Sequence, residues 1–180
     1  MTGAEQGRTQ AKEMQPNPGM LHLLTFRVGD EEYGMDAGRV REIVDGQPLT
    51  HVPNFPAYVE GVTELRERVI PVVGLRKRFG LGSLEPGKSA RIIVTDMDGD
   101  VIGFEVDSVA GVVQVPISSV EPLPRLRVPD NAYVSGVSRT QSRLVLVVDV
   151  NRLAAETDVG TTVTSFAPAS MEAEEGLLVS

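Results

Sequence analysis

Gly82-Ser83-Leu84-Glu85-Pro86-Gly87-Lys88-Ser89 has the spacing with which a loop cradles nucleotide phosphates: a glycine, four residues, then Gly-Lys-Ser. Downstream, Leu144-Val145-Leu146-Val147-Val148-Asp149 has the form of an apolar strand ending in an acid that could hold magnesium. A phosphate loop works because backbone N–H groups curl round the anion while the next helix turns its positive end to the same oxygens. It therefore needs a strand before it and a helix after it. Neither is expected here. Ala90-Arg91-Ile92-Ile93-Val94-Thr95 is β-branched and favours an extended chain, and Leu75-Arg76-Lys77-Arg78-Phe79 upstream reads as a short helical turn. Within the loop Pro86 lacks an amide donor, and Glu85 sets a negative charge where phosphates would sit. A nucleotidase is thus an alternative of low rank, and a tight surface loop between two strands explains the same residues.

Other chemistry is scarce. The 180 residues contain no cysteine and two histidines, His22 and His51, which removes thiol catalysis, disulfides and nearly every zinc arrangement. No nucleophile stands beside a base in a recognisable pattern, so the sequence predicts neither an enzyme nor a cofactor. With 25 acidic and 17 basic residues the formal charge is −8, the wrong sign for a nucleic-acid surface or an anionic membrane. Apolar runs are strand-sized and the N-terminus lacks a secretion-signal pattern, so a soluble cytoplasmic protein without membrane insertion is expected. Trp is absent and aromatics are 4% of residues, which argues against stacking platforms for bases or sugars.

Residues 1–19, rich in Gly, Gln, Pro and Asn, read as a flexible arm; residues 157–180, with Asp158, Glu172, Glu174 and Glu175 and no Lys or Arg, read as a flexible acidic tail. Residues 20–156 form the body. There, short Val/Ile/Leu runs alternate with Gly, Asp and Pro punctuation, the pattern of an all-β domain. Leu21 to Val28 and Glu31 to Asp36 flank Gly29-Asp30, and Arg91 to Thr95 and Val101 to Val106 flank a turn containing Asp98-Gly99; both predict β-hairpins. Brief helices are expected at Pro56 to Val59, Leu75 to Phe79, Pro116 to Val120 and Val150 to Ala155.

The body also repeats itself. Gly61-Val62-Thr63 with Arg68-Val69-Ile70-Pro71-Val72-Val73 recurs 75 residues later as Gly136-Val137-Ser138 with Arg143-Leu144-Val145-Leu146-Val147-Val148. Tyr33-Gly34-Met35-Asp36 recurs after 69 residues as Ile102-Gly103-Phe104-Glu105, with Val40 falling on Val109 and Val44 on Val113. The two offsets agree in order and differ by one longer loop around Glu121-Pro122-Leu123-Pro124. Such a duplication predicts two similar small β-barrels.

Four segments in order resemble the CheW family of adaptors between chemoreceptors and their histidine kinase. They are Asp30 to Asp36 with Val40-Arg41-Glu42-Ile43, Pro56 to Arg66, Val69 to Arg76, and Val101 to Val109, and the match extends from about Leu21 to Ala155. The resemblance implies two five-stranded SH3-like barrels packed round a shared core, with a few short helices. It also implies a non-catalytic scaffold whose partners are the regulatory domain of a CheA-type histidine kinase and the cytoplasmic tip of a methyl-accepting chemotaxis receptor. A related adaptor for pilus or surface motility would carry the same features.

By the same resemblance Val40 falls on a kinase-facing apolar position, with Ala37 beside it, and Glu42, Gly61, Arg66, Val109 and Val112 fall on positions tied to receptor coupling. Each has a plainer explanation: strand packing for Val40, solvated charge for Glu42 and Arg66, a positive φ for Gly61, and core for the two valines. The family's usual Asn-Leu-Arg-Gly reads Glu64-Leu65-Arg66-Glu67 here. If that turn requires a left-handed residue, Glu67 occupies it at a cost of roughly 1–2 kcal/mol. Glu64 and Glu67 also place two acids beside Arg66, and a specialised receptor set, or an alternative signalling array, is expected to match this altered turn.

Overall fold

The computed structural model describes residues 19–84, 88–123 and 133–156, which excludes the N-terminal arm, the acidic tail and Glu85 to Gly87 of the Gly82–Ser89 run. Eleven strands occur in order: β1 (Met20–Val28), β2 (Glu31–Asp36), β3 (Val40–Asp45), β4 (Val59–Leu65), β5 (Arg68–Gly74), β6 (Arg91–Met97), β7 (Asp100–Val106), β8 (Ser108–Pro116), β9 (Val120–Glu121), β10 (Val134–Thr140) and β11 (Arg143–Val148). Two helices, α1 (Leu75–Arg78) and α2 (Val150–Glu156), and two 3₁₀ turns, Ala37–Arg39 and Ile117–Ser119, complete the described chain.

Both expected hairpins form. Gly29 takes φ +63° at the β1–β2 turn, and Asp98 and Gly99 take +58° and +106° at the β6–β7 turn. Asp98 tolerates the left-handed region better than most residues, and the Gly99 N–H donates to Asp96 Oδ1 at 2.9 Å. Pro56 to Val59 is not helical. The Val59 N–H donates to Pro56 O at 2.9 Å to close a single turn, after which β4 begins and its pairing competes for the same backbone groups.

The strands form a six-stranded sheet in the order β8-β1-β2-β11-β10-β9 and a five-stranded sheet in the order β3-β6-β7-β5-β4. In the larger sheet the edge strands β8 and β9 are joined by one three-residue 3₁₀ turn, so the sheet wraps until its edges approach. The smaller one is closed by Thr50, which bridges Val62 of β4. The sixth strand is the two-residue β9, paired with Val137 and Ser138 where its counterpart across the repeat is only the Thr50 bridge.

The barrels are not the repeats. One barrel takes β1 and β2 from the first repeat and β8 to β11 from the second; the other takes β3 to β5 from the first and β6 and β7 from the second. Each repeat gives its N-terminal hairpin to the other. The exchange is sealed by two equivalent parallel pairings: Gly34 lies opposite Val147, and Gly103 lies opposite Val72. Both glycines are needed there, since a Cβ on Gly103 would lie 2.9 Å from Ile92 Cγ2 and one on Gly34 would lie 3.1 Å from Val145 Cγ1.

Three apolar clusters result. Inside the five-stranded barrel are Ile70, Val72, Ile92, Val94 and Val101, and inside the six-stranded barrel are Leu23, Val115 and Val147. Between them the largest cluster joins Phe26, Val28, Tyr33 and Met35 of one barrel to Val73, Ile93, Ile102 and Phe104 of the other. Full burial of each such side chain contributes about 1.5–3 kcal/mol, so the shared core holds the barrels together. At the repeat position of Val101 the six-stranded barrel places Glu32, which is nearly buried and meets Arg143 Nη1 at 3.3 Å.

Candidate functional site

The first face is the crossover from β2 to β3. Asp36 Oδ1 accepts the Gly38 N–H at 2.9 Å and starts the 3₁₀ turn that carries Ala37. The pairing of β3 with β6 slips between Val40 and Glu42, leaving Arg41 as a bulge. A bulge re-aims the side chains beyond it: Val40 and Ile43, three apart, both pack on the inter-barrel core, whereas Val44 packs inside the barrel. Ala37 and Val40 are each half-buried, so part of their apolar surface stays open. Around them Arg39 pairs with Asp98 at 3.3 Å and Arg41 approaches Asp96 at 3.9 Å, and an open recess of about 490 Å³ lies between Asp36, Gly38, Arg39, Asp96 and Asp98. An apolar centre with a charged rim is the usual anatomy of a protein contact.

The second set is split. Arg66 Nε donates to Glu42 Oε2 at 2.7 Å, so two of the residues singled out in the sequence hold each other. The partner of Arg66 is therefore neither Glu64 nor Glu67. Glu42 is the less exposed of the pair and Arg66 stands out at the β4–β5 turn, presenting the remaining donors of its fork to solvent. Gly61, on β4, is buried with φ +149°, and a Cβ there would collide with Thr50 O, the carbonyl that receives the Val62 N–H. Val109 and Val112 lie on β8 of the other barrel: Val109 is half-buried against the shared core, and Val112 is 59% exposed, so the core explanation fails for Val112.

The turn settles the question raised by Glu67. Arg66 and Glu67 have φ of +50° and +66°, the two left-handed residues of a tight hairpin, and Gln141 and Ser142 adopt +47° and +64° at the same place in the second repeat. Glu67→Gly is expected to stabilise the protein by about 0.5–1 kcal/mol, the left-handed penalty less the extra unfolded-state freedom of glycine. Urea unfolding checks this; an unchanged or lowered midpoint would contradict it.

The phosphate-cradle geometry is absent from the described part of its loop. The helix lies on the wrong side: α1 precedes Gly82, and it ends in a left-handed Gly80 with the Leu81 N–H donating to Arg76 O at 2.7 Å and the Gly80 N–H to Lys77 O at 3.1 Å. After Lys88 the chain passes straight into β6. The loop joins a helix to a strand, not two strands.

Several residues that the sequence did not single out hold the faces in place. Arg76 clasps Asp107 with two bonds of 2.8 and 2.9 Å, and Asp107 Oδ2 also accepts the Gly29 N–H at 2.9 Å. Asp107 is the one residue between β7 and β8, where the chain leaves one barrel for the other. Burial, helped by Tyr133 and Glu31, pushes the Tyr33 phenol up to about 12 and keeps it neutral in the core. Burial, then the nearby Glu60, raises Glu105, while Lys77 opposes the shift. Among the described residues no group of three or more acidic or histidine side chains could hold a metal, and no helix is long and apolar enough to cross a membrane.

Two SH3-like barrels sharing a core, with partly open apolar and charged faces, define a module built for contacts with other proteins. The CheW-like domain model matches residues 22–158, and the chain belongs to the CheW family. It is 34% identical over 145 residues to a chemotaxis protein CheW of Treponema pallidum, covering 78% of this chain and 85% of that protein, and 34% identical over 134 residues to one from Rhizobium meliloti, covering 74% and 86%. In three dimensions it resembles the crystal structure of the scaffolding protein TtCheW from Thermoanaerobacter tengcongensis, with a TM-score of 0.66 and 33% identity over 72% of this chain and 88% of the other.

Proposed function

We propose that the chain is a non-catalytic cytoplasmic adaptor that joins the regulatory domain of a CheA-type histidine kinase to the cytoplasmic tip of a chemoreceptor. The family match supports this reading, because it spans both of the barrels on which the two candidate faces are proposed. Ala37 and Val40 supply the kinase contact: they are adjacent, partly open and rimmed by charge. Glu42 and Arg66 on one barrel and Val109 and Val112 on the other supply the receptor contact, with the Arg66 guanidinium directed at carboxylates and carbonyls of a helical hairpin, while the buried Gly61 acts behind them by letting Thr50 close the barrel. No bond is made or broken; receptor state reaches the kinase through geometry.

Titration calorimetry with the isolated kinase regulatory domain and with a receptor hairpin tests the arrangement. Both should bind, and prior saturation with one should leave the affinity for the other intact. Mutual displacement would mean a single face and would remove the bridging role. Lys88→Ala should leave both affinities unaltered, whereas a nucleotide-driven mechanism would make it inactive.

A further inference from the structure

The chain has only eight Phe and Tyr residues, and five of them meet in one row. Phe26 stacks on Tyr33 with ring centres 5.8 Å apart, Tyr33 on Phe79 at 4.8 Å, and Phe79 on Tyr133 at 5.0 Å. The Arg78 guanidinium extends the row, lying 5.1 Å from the Tyr133 ring centre and 5.3 Å from that of Tyr58. Both distances are within the range of cation–π attraction.

Ownership of these residues gives the row its meaning. Tyr58 immediately precedes β4 of the five-stranded barrel, and Tyr133 immediately precedes β10 of the six-stranded one. They occupy the same position in the two repeats, 75 residues apart, and their carbonyls accept equivalent bonds: the Gly74 N–H to Tyr58 O and the Asp149 N–H to Tyr133 O, each 2.8 Å. Arg78 thus meets both copies of one repeat position at once. Its own counterpart is Leu153, fully buried in the shared core, so only one of the two related helices carries a cation to this place. Two residues earlier on α1, Arg76 grips Asp107 and through it the Gly29 turn of the other barrel. A helix of four residues therefore meets the opposite barrel at Tyr133 and at the Asp107 crossover, and through Asp107 reaches its Gly29 turn.

We propose that α1 is the strut that sets the angle between the barrels and that Arg78 is a positioning residue for receptor binding. The inference rests on the proposed function in one respect: the receptor-matching residues are divided between the barrels, so a partner that must touch both reads the angle between them. Ala37 and Val40 lie on one continuous segment, so kinase binding does not depend on it. If loosening leaves the competent angle populated about a tenth of the time, receptor affinity falls about tenfold.

The experiment uses the full chain carrying Val69→Cys and Leu144→Cys, exposed positions on β5 and β11 that the cysteine-free sequence allows to be spin-labelled cleanly. With Arg78 present the distance distribution between labels should be narrow; with Arg78→Met it should broaden, and Arg78→Lys should restore it in part. Receptor-hairpin affinity should fall about tenfold in Arg78→Met with kinase-domain affinity within about twofold of the parent. An unbroadened distribution overturns the strut, and a broadened one with unaltered receptor affinity overturns its role in binding. Parallel loss of both affinities with the thermal midpoint would make Arg78 an ordinary stabilising contact and also overturn the inference. If the parent chain binds no receptor hairpin, the adaptor reading fails while the distance measurement still decides the strut.

Discussion

Val40→Asp is expected to weaken binding of the kinase regulatory domain by about a hundredfold or more while the chain stays folded. An unpaired carboxylate at the centre of a closed contact costs roughly 3 kcal/mol, and tenfold in affinity corresponds to about 1.4 kcal/mol. Val40 suits the test because it begins β3 beside the Arg41 bulge and is only half-buried, so its charged replacement can turn to water in the free protein. Circular dichroism and a thermal melt verify folding, and Val40→Ala should give a smaller loss by removing apolar area alone. Unimpaired binding of a folded Val40→Asp protein would return Val40 to the role of strand packing.

Gly61→Ala is expected to destabilise the protein by about 2–4 kcal/mol, combining a left-handed penalty with overpacking in a site that cannot relax. The Cβ would meet the Thr50 carbonyl, which is backbone and already bonded to the Val62 N–H. Since the Thr50 bridge closes the five-stranded barrel, the strain falls on closure rather than on a surface contact. Gly82→Ala, where nothing lies within 4 Å of the added Cβ, is the control and should change little. Chemical denaturation distinguishes the two explanations of Gly61: a variant as stable as the parent that no longer binds receptor would make Gly61 a contact residue.

Local features were legible because local rules govern them. Alternating β-branched runs, the Gly29-Asp30 and Asp98-Gly99 turns and the short helix after β5 all depend on neighbours within a few residues. The duplication was legible too, and it is matched in the structure by equivalent left-handed turns at Arg66-Glu67 and Gln141-Ser142. It could not show which strands pair, because similarity between segments says nothing about whether they lie in one sheet; the exchange of hairpins between repeats is a property of the closed core. Pro56 to Val59 read as a helix since proline suits a first turn, but β4 claims the backbone immediately afterwards.

The site was legible in part for the same reason. Glu42 and Arg66 were singled out separately, yet their mutual bond joins residues 24 apart that belong to opposite edges of the five-stranded sheet and meet only where the barrel closes, and the sequence offered Glu64 and Glu67 as nearer partners. Arg76 and Arg78 sit in the run Leu75 to Phe79, which reads only as a short helical turn. The signal that could have found them was the spacing of Tyr58 and Tyr133, identical residues one repeat apart.

The most direct measurement is co-sedimentation of a CheA-type kinase with receptor-bearing vesicles, in the presence and absence of this chain. The chain should carry kinase into the pellet with the receptor, and Val40→Asp should leave the chain on the receptor but the kinase in the supernatant. Kinase sedimenting equally well without the chain, or a chain that reaches the pellet only when kinase is already there, would contradict a bridge with two independent faces.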